Sequence, residues 1–250
     1  MTEQTPVTRH GGVLVKRDDL FSVAGAFGGK ARTCWHLAQG AKGLVTAGSR
    51  ASPQVNIVAH IAKELGIPCR VHTPTGPLSP EVLQAQSLGA VVIQHKAGYN
   101  NVIIARAHED ATSQNWTNIP FGMECQEAVN QTRLQVESLR PYGEVKRIVM
   151  PVGSGMSLAG VLYGLKDHGL DTPVLGVVVG ADPTKRLNAY APIFWSHDVE
   201  LPLAGLEYHD PAPTTVLGDL TLDPIYEAKC LKFLQEGDLL WVVGIRSTSV

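Results

Sequence analysis

Three observations predict an α/β fold. Short apolar, strand-like runs alternate with helix-length stretches along most of the chain, and glycine-rich turns follow several runs and open helices. Hydrophobic residues make up 44% of the 250 residues, enough for a sizeable core. In order, Val13–Lys16 reads as a strand, Arg32–Gln39 as a helix and Gly43–Ala47 as a strand. An amphipathic helix from Gln54 to Leu65 stops at Gly66-Ile67-Pro68, where glycine and proline end the pattern. Cys69–Thr73 is extended, Pro80–Leu88 is a helix closed by Gly89, and Ala90–Gln94 is another strand. Helical patterns follow at Asn101–Ala111 and Met123–Leu139. A strand at Arg147–Val152, a glycine turn, a helix over Ser157–Lys166 and a strand at Val174–Val179 complete a further unit. Asp223-Pro224 opens a helix to Gln235, Gly237 closes it, and Leu239–Val243 is the last strand. Alternation of this kind implies parallel sheets covered on both faces. The stretch from Asp198 to Asp219 has no clear period and reads either as a functional surface loop or as an irregular connection.

Composition narrows the function classes. Lys+Arg 21 against Asp+Glu 23 gives a net charge of −2, with no signature of a nucleic-acid partner. No apolar run approaches the roughly 20 residues of a membrane span. The segment Met1–Arg9 is polar and lacks the apolar core of a secretion signal, so a cytoplasmic location is expected. The cysteines Cys34, Cys69, Cys125 and Cys230 are scattered, as are the histidines, and no metal site is expected.

In open α/β sheets ligands gather beyond the carboxyl ends of the strands, so the turns carry the chemistry. Gly153-Ser154-Gly155-Met156-Ser157 follows a strand and opens a helix. Its amides and the helix dipole suit a phosphate, with the serines as further donors; a plain tight turn is the other reading. A dinucleotide fingerprint would need glycine where Leu158 stands, and a triphosphate loop would need Gly-Lys-Ser/Thr. Lys30 follows Gly28-Gly29 at a helix mouth, where a cation opposes the helix dipole. It is either solvated there or kept as an amine of lowered pKa that condenses with an aldehyde. Thr46–Gln54 is another strand–turn–helix, in which Ser49 and Ser52 are either N-caps or part of a carboxylate seat. Tyr226 and Glu227 sit in a first helical turn, where the dipole alone accounts for a glutamate unless its side chain turns inward.

Four ordered segments carry a resemblance: "VKRDDLFSVAGAFGGKAR", "LVTAGSRASPQVNIVAHIAKELGI", "MPVGSGMSLAG" and "TLDPIYEAK". Together they resemble fold-type II pyridoxal 5′-phosphate (PLP) enzymes, most closely the 1-aminocyclopropane-1-carboxylate deaminase and D-cysteine desulfhydrase family. The resemblance implies two open, mainly parallel sheet domains of the tryptophan synthase β type, with the cofactor cleft between them. Residues 43–121 would form a smaller inserted domain, and 1–42 with 122–250 the larger PLP-binding one.

The resemblance also implies roles. Lys30 matches the lysine that forms the Schiff base with PLP and shuttles protons. Gly153, Ser154, Gly155, Met156 and Ser157 match the phosphate-binding turn. Ser52 matches the serine that contacts the substrate carboxylate or acts catalytically on its carbon skeleton, with Ser49 and Gln54 beside it as substrate-binding residues. Tyr226 matches a catalytic tyrosine, and Glu227 the carboxylate facing the pyridine nitrogen, where it would keep that nitrogen protonated. Two family asparagines have no counterpart: Lys30 directly follows Gly29, and Pro53 follows Ser52. The stretch from Gly180 to Asp223 and the C-terminal part are short for the family. The activity implied is that of a lyase or deaminase on a small amino acid or a derived amine, in a homodimer. The alternatives are β/γ-replacement, threonine-dehydratase-like elimination, or a binding protein that keeps the fold with reduced catalysis. Tyr226-Glu227 favours the deaminase and desulfhydrase branch, since other branches present Ser or Thr to the pyridine nitrogen.

Overall fold

A computed structural model describes residues 3–50, 52–96, 100–142 and 145–244. The described residues fall into two compact units: one joins the segment up to Phe21 with Ala128 onward, and the other spans Ser22–Glu127. The first unit begins with β1 (Val7–His10) and β2 (Val13–Arg17). In the second unit β3 (Ser22–Val23) and β4 (Ala26–Phe27) form a small hairpin before α1 (Gly29–Leu37). Then follow β5 (Leu44–Ala47), α2 (Gln54–Glu64), β6 (Cys69–Pro74), α3 (Pro80–Ser87), β7 (Val91–His95), α4 (Asn100–Gln114) and β8 (Thr117–Ile119). The chain returns through α5 (Gln126–Gln135) to β9 (Arg147–Val152), α6 (Met156–Asp167), β10 (Val174–Val178), α7 (Thr184–Tyr190) and β11 (Val199–Glu200). The short pair β12 (Val216–Leu217) and β13 (Leu220–Thr221) precedes the last strand, β14 (Asp238–Val242).

The first unit is built on a six-stranded sheet in the order β1-β2-β14-β9-β10-β11. Only the β1–β2 hairpin is antiparallel; the other neighbours run parallel. Every residue of β10 and β14 is buried, as expected for strands covered on both faces. Alternate residues Val149, Leu175, Val177, Leu240 and Val242 form one face and pack with Ala204, Leu222, Ala228 and Cys230. Helix α6 lies close against α5. A Cβ on Gly160 would stand 2.6 Å from the Val129 carbonyl oxygen, and one on Gly164 2.4 Å from the Val136 side chain. The two small residues, one turn apart, let the helices approach this closely. Arg147 at the start of β9 pairs with buried Asp238 at the start of β14 (Nη2–Oδ2 2.7 Å), tying two central strands together.

The second unit holds a four-stranded, all-parallel sheet in the order β7-β6-β5-β8. Its core cluster is Val45, Ala47, Ile103, Ala107 and Ala111, which seats α4 on β5. Ile103, Ala107 and Ala111 recur every four residues, the helical period that puts them on one face. Ser79 caps α3, its Oγ accepting from the Val82 amide, and Pro80 takes the first helical position.

Two expected helices differ. The stretch expected as one helix over Met123–Leu139 is α-helical only for Gln126–Gln135 and continues as a 3-10 turn over Val136–Tyr142, where Pro141 removes a donor. The expected Asp223–Gln235 helix is instead a 3-10 segment over Glu227–Phe233. The Asp223 carboxylate takes the amides of Ile225 (2.8 Å) and Tyr226 (2.9 Å), and Tyr226 leaves the helical region at φ −127, ψ −79. A side chain that satisfies the backbone locally competes with helix formation.

Candidate functional site

In the first unit, β9 ends in Gly153-Ser154-Gly155, and α6 begins at Met156. Gly155 is the N-cap at φ 88, a left-handed conformation that an L side chain resists. It is also buried, with Leu187 and Pro183 against the place a Cβ would take. Gly153, Ser154 and Ser157 are half-buried, and Met156 is buried. The first amides of a 12-residue helix have no carbonyl partner within it, so this turn presents N–H donors and two hydroxyls at a positive helix end.

Tyr226 and Glu227 come to the same turn from the far end of the chain. A Cβ on Gly153 would stand 2.5 Å from the Tyr226 hydroxyl, and the Gly153 amide donates to that oxygen. Burial raises the Tyr226 phenol well above its ordinary value, and neighbouring Glu227 pushes it the same way. Glu227 is 2% exposed, so its side chain does turn inward, and the simple dipole account does not hold. Desolvation, then Asp223, raises its carboxyl well above the usual carboxylate range. The Gly244 amide donates to Glu227 Oε1 at 3.3 Å. A carboxyl held this way becomes an anion only when a cation or strong donor joins it.

Sequence reasoning missed two residues here. The Tyr208 ring reaches within 4.0 Å of the place a Cβ on Gly180 would occupy, and it lies close enough to Tyr226 to act on its phenol. Lys229, 2% exposed, donates to the carbonyl oxygens of Glu207 (2.7 Å) and Tyr208 (3.1 Å). Tyr208 lies where the chain shows no period, and the only signal for the contact was a lysine three residues after Tyr226 in "IYEAK".

In the second unit, Lys30 is the second residue of α1 and half-buried. Gly28, the N-cap at φ 85 and ψ 177, turns the chain from β4 into the helix, a backbone conformation suited to glycine. After β5, the turn through Gly48, Ser49 and Ser52 leads into α2; Ala51 lies outside the described residues. Ser49 and Ser52 are half-buried, and the Ser52 amide donates to the Ser49 carbonyl. Ser52 Oγ accepts from the Gln54 amide at 3.3 Å, one residue ahead of Pro53, the N-cap of α2. Gln54 is 1% exposed, and its Nε2 donates to Thr46 Oγ1 (2.9 Å) and the Pro120 carbonyl (2.7 Å). It is thus a buried strut under the turn, and Ser49 and Ser52 are the more accessible polar groups. Asn56 is committed to Gln84 of α3, Nδ2 to Oε1 at 2.6 Å.

Comparison with known proteins adds the family. The model described as "Pyridoxal-phosphate dependent enzyme" matches residues 3–207. The chain belongs to that family. Among curated relatives, L-threonine dehydratase biosynthetic IlvA of Escherichia coli K12 is 28% identical over 199 residues, 78% of this chain and 37% of the relative. The Pasteurella multocida enzyme of the same name is 29% identical over 66% of this chain and 32% of its own length. The chain therefore spans about a third of the length of these relatives. Among solved structures, an ACC deaminase homologue superposes with a TM-score of 0.82 at 22% identity, covering 98% of this chain and 91% of the other. The processed form of threonine deaminase isoform 2 from Solanum lycopersicum gives a TM-score of 0.65 at 16% identity, covering 97% and 79%. At such identities the likeness establishes the fold.

In the first unit, the residues of this pyridoxal-phosphate dependent family member fit the family's cofactor. The Gly153–Ser157 turn offers the donors a phosphate needs, with no side-chain bulk at Gly153 or Gly155. Glu227 is a buried carboxyl whose charged form is disfavoured by desolvation and by Asp223, and a protonated pyridine nitrogen would complement it.

Proposed function

We propose that this chain is a PLP-dependent lyase or deaminase acting on a small amino acid or an amine derived from one. The observation that carries the reading is the Tyr226 hydroxyl seated on the Gly153 turn with the buried Glu227 carboxyl beside it. When bound, PLP supplies an aldehyde and an electron-withdrawing ring. In this reading Lys30 would be the residue that holds the cofactor at its aldehyde, and its amine would carry a proton to or from the substrate's Cα or Cβ. Gly153, Ser154, Gly155, Met156 and Ser157 bind the phosphate through amides and hydroxyls. Glu227 would be the carboxyl that pairs with the cofactor's ring nitrogen and would favour its protonated form. Ser49 and Ser52 receive the substrate carboxylate at the α2 N-terminus, while Gln54 keeps that turn in shape. Tyr226, its phenol kept neutral by burial, acts as a proton donor. The inserted domain over 43–121, a homodimeric assembly and a cytoplasmic location belong to the same proposal.

A threonine-dehydratase-like elimination is the second reading, supported by the curated relatives. Both readings require the same lysine and cofactor. The deciding experiment is an absorption spectrum of purified protein with PLP, before and after borohydride, beside Lys30→Ala. A visible band that borohydride removes and the variant lacks is the expected result. No band with excess PLP overturns both readings. Amino acids that shift the band are then assayed for ammonia, keto acid and sulfide, which separates the two reactions.

A further inference from the structure

Outside this site, the second unit carries a chain of three titratable side chains across its sheet edge. His72 of β6 lies between Asp110 of α4 and His95 of β7. Its Nε2 is 2.8 Å from Asp110 Oδ2, and its Nδ1 is 2.7 Å from His95 Nε2. The two imidazoles are nearly coplanar, at 13° with centroids 5.0 Å apart. His72 is 3% exposed, and β7 is an edge strand of the four-stranded sheet. Asp110 also forms an ion pair with Arg70, Nε to Oδ2 at 2.7 Å.

The proton count follows from the donor rules. A carboxylate only accepts, so His72 carries a hydrogen on Nε2. With both rings neutral, His72 Nδ1 accepts from His95 Nε2–H. One added proton is still accommodated by the pair: a single hydrogen stays between His72 Nδ1 and His95 Nε2, and the outer nitrogen of each ring carries its own hydrogen. A second proton leaves two N–H groups pointing at each other across 2.7 Å, with both rings charged.

We propose that the Asp110–His72–His95 chain is a proton-operated clasp across α4, β6 and β7, whose His72–His95 link between β6 and β7 opens when both imidazoles become charged. Two other basic groups oppose the second proton or stand nearby. Arg106 of α4 acts on His95 and also pairs with Glu109, and Lys96 follows His95 in the chain. Arg70 and His72 come from β6, and α3, which also packs on β7, has Glu81 as its one ionisable residue. His95 sits below the ordinary histidine value, through desolvation first, then His72 and Arg106. A histidine with a depressed folded value is stable as it stands above the unfolded value of about 6.5. Stability is lost as pH falls below that value, because the unfolded chain binds the extra proton more readily.

The test is a pH titration of the full chain from 8 to 5, following the imidazole nitrogen resonances of His72 and His95 and the amide exchange of β7. The expected result is two coupled steps for the pair, the second below the ordinary histidine value and accompanied by faster exchange in β7. Independent titration of both rings near 6.5 with unchanged β7 amides would overturn the proposal. In a second arm, urea unfolding of wild type and His95→Gln is compared at pH 7.5 and 5. The wild-type folding equilibrium should fall by up to about tenfold per pH unit within the window below 6.5, and the variant's by clearly less. An equal fall in both also overturns it, and if the variant does not fold, the wild-type titration decides alone.

Discussion

The Tyr226 hydroxyl stands 2.5 Å from the only place a Cβ on Gly153 could occupy, so two residues far apart in the chain share one small space. Glycine at 153 is thereby a steric requirement of the tyrosine, in addition to any demand from a bound phosphate. Gly153→Ala should destabilise the protein by about 1–3 kcal/mol through overpacking and weaken PLP binding at least tenfold. Tyr226→Phe removes the clashing oxygen, so the double variant should recover part of the lost stability. Urea unfolding of the two single variants and the double variant measures this coupling. Strict additivity of the two changes would show that the contact is not what excludes alanine.

Glu227 makes a pH prediction with a definite sign. Its folded value is raised by desolvation and by Asp223, so between about 4.5 and that raised value the folded protein binds a proton the unfolded chain releases. Stability of the cofactor-free protein therefore falls as pH rises through this window. Glu227→Gln should make the apoprotein more stable than wild type at pH 8, with the advantage shrinking toward pH 4.5. Thermal melts of apoprotein at both pH values, with and without PLP, check this. Added PLP should stabilise wild type more than the variant.

Lys229 links the irregular Glu207–Tyr208 segment to the element that carries Tyr226 and Glu227. Lys229→Met keeps most of the packing volume and leaves two carbonyl oxygens without their ammonium donor. A loss of about 2–3 kcal/mol is expected for charged hydrogen bonds of this kind. Hydrogen exchange should rise in the segment around Tyr208 more than in β9 or β14.

Asp238 holds Arg147 with two hydrogen bonds, Nε–Oδ1 at 3.2 Å and Nη2–Oδ2 at 2.7 Å, and also accepts from the Gln235 amide at 2.8 Å. Asp238→Asn keeps the shape and leaves the Arg147 charge without its counter-ion. Since Asp238 is buried and Arg147 only partly exposed, a cost of about 2–4 kcal/mol is expected in urea unfolding. Arg147→Lys should recover little when set beside wild type, because an ammonium cannot reproduce the two-pronged contact.

Much of the architecture was legible because strand and helix periods are local. Arg147–Val152 is read from sequence with the bounds the structure has, and Gln54–Leu65 differs from α2 by one residue. The glycine turn at 153–157 and the Lys30 helix mouth were legible for the same reason: backbone freedom and helix termini are written in neighbouring residues. The segment after Pro224 was not. Its proline and first-turn glutamate mark a helix start, yet the Asp223 side chain captures two amides and turns the backbone aside. That choice depends on how tightly the segment packs under β9, a contact with no local signal.

The sequence by itself determined where most of the longer strands and helices lie, which turns are free of side chains, and where an amine, hydroxyls and a carboxyl stand along the chain. The fold decided which of these are dry. Glu227, Lys229, Gln54 and His72 are ordinary polar residues in sequence, and each takes its character from partners far away in the chain or from lost water. Burial is a property of the whole packed unit, and both pKa shifts and hydrogen-bond strength follow from it. Spacing along a chain fixes what is adjacent to what, whereas the surrounding dielectric exists only once the sheets have closed over it.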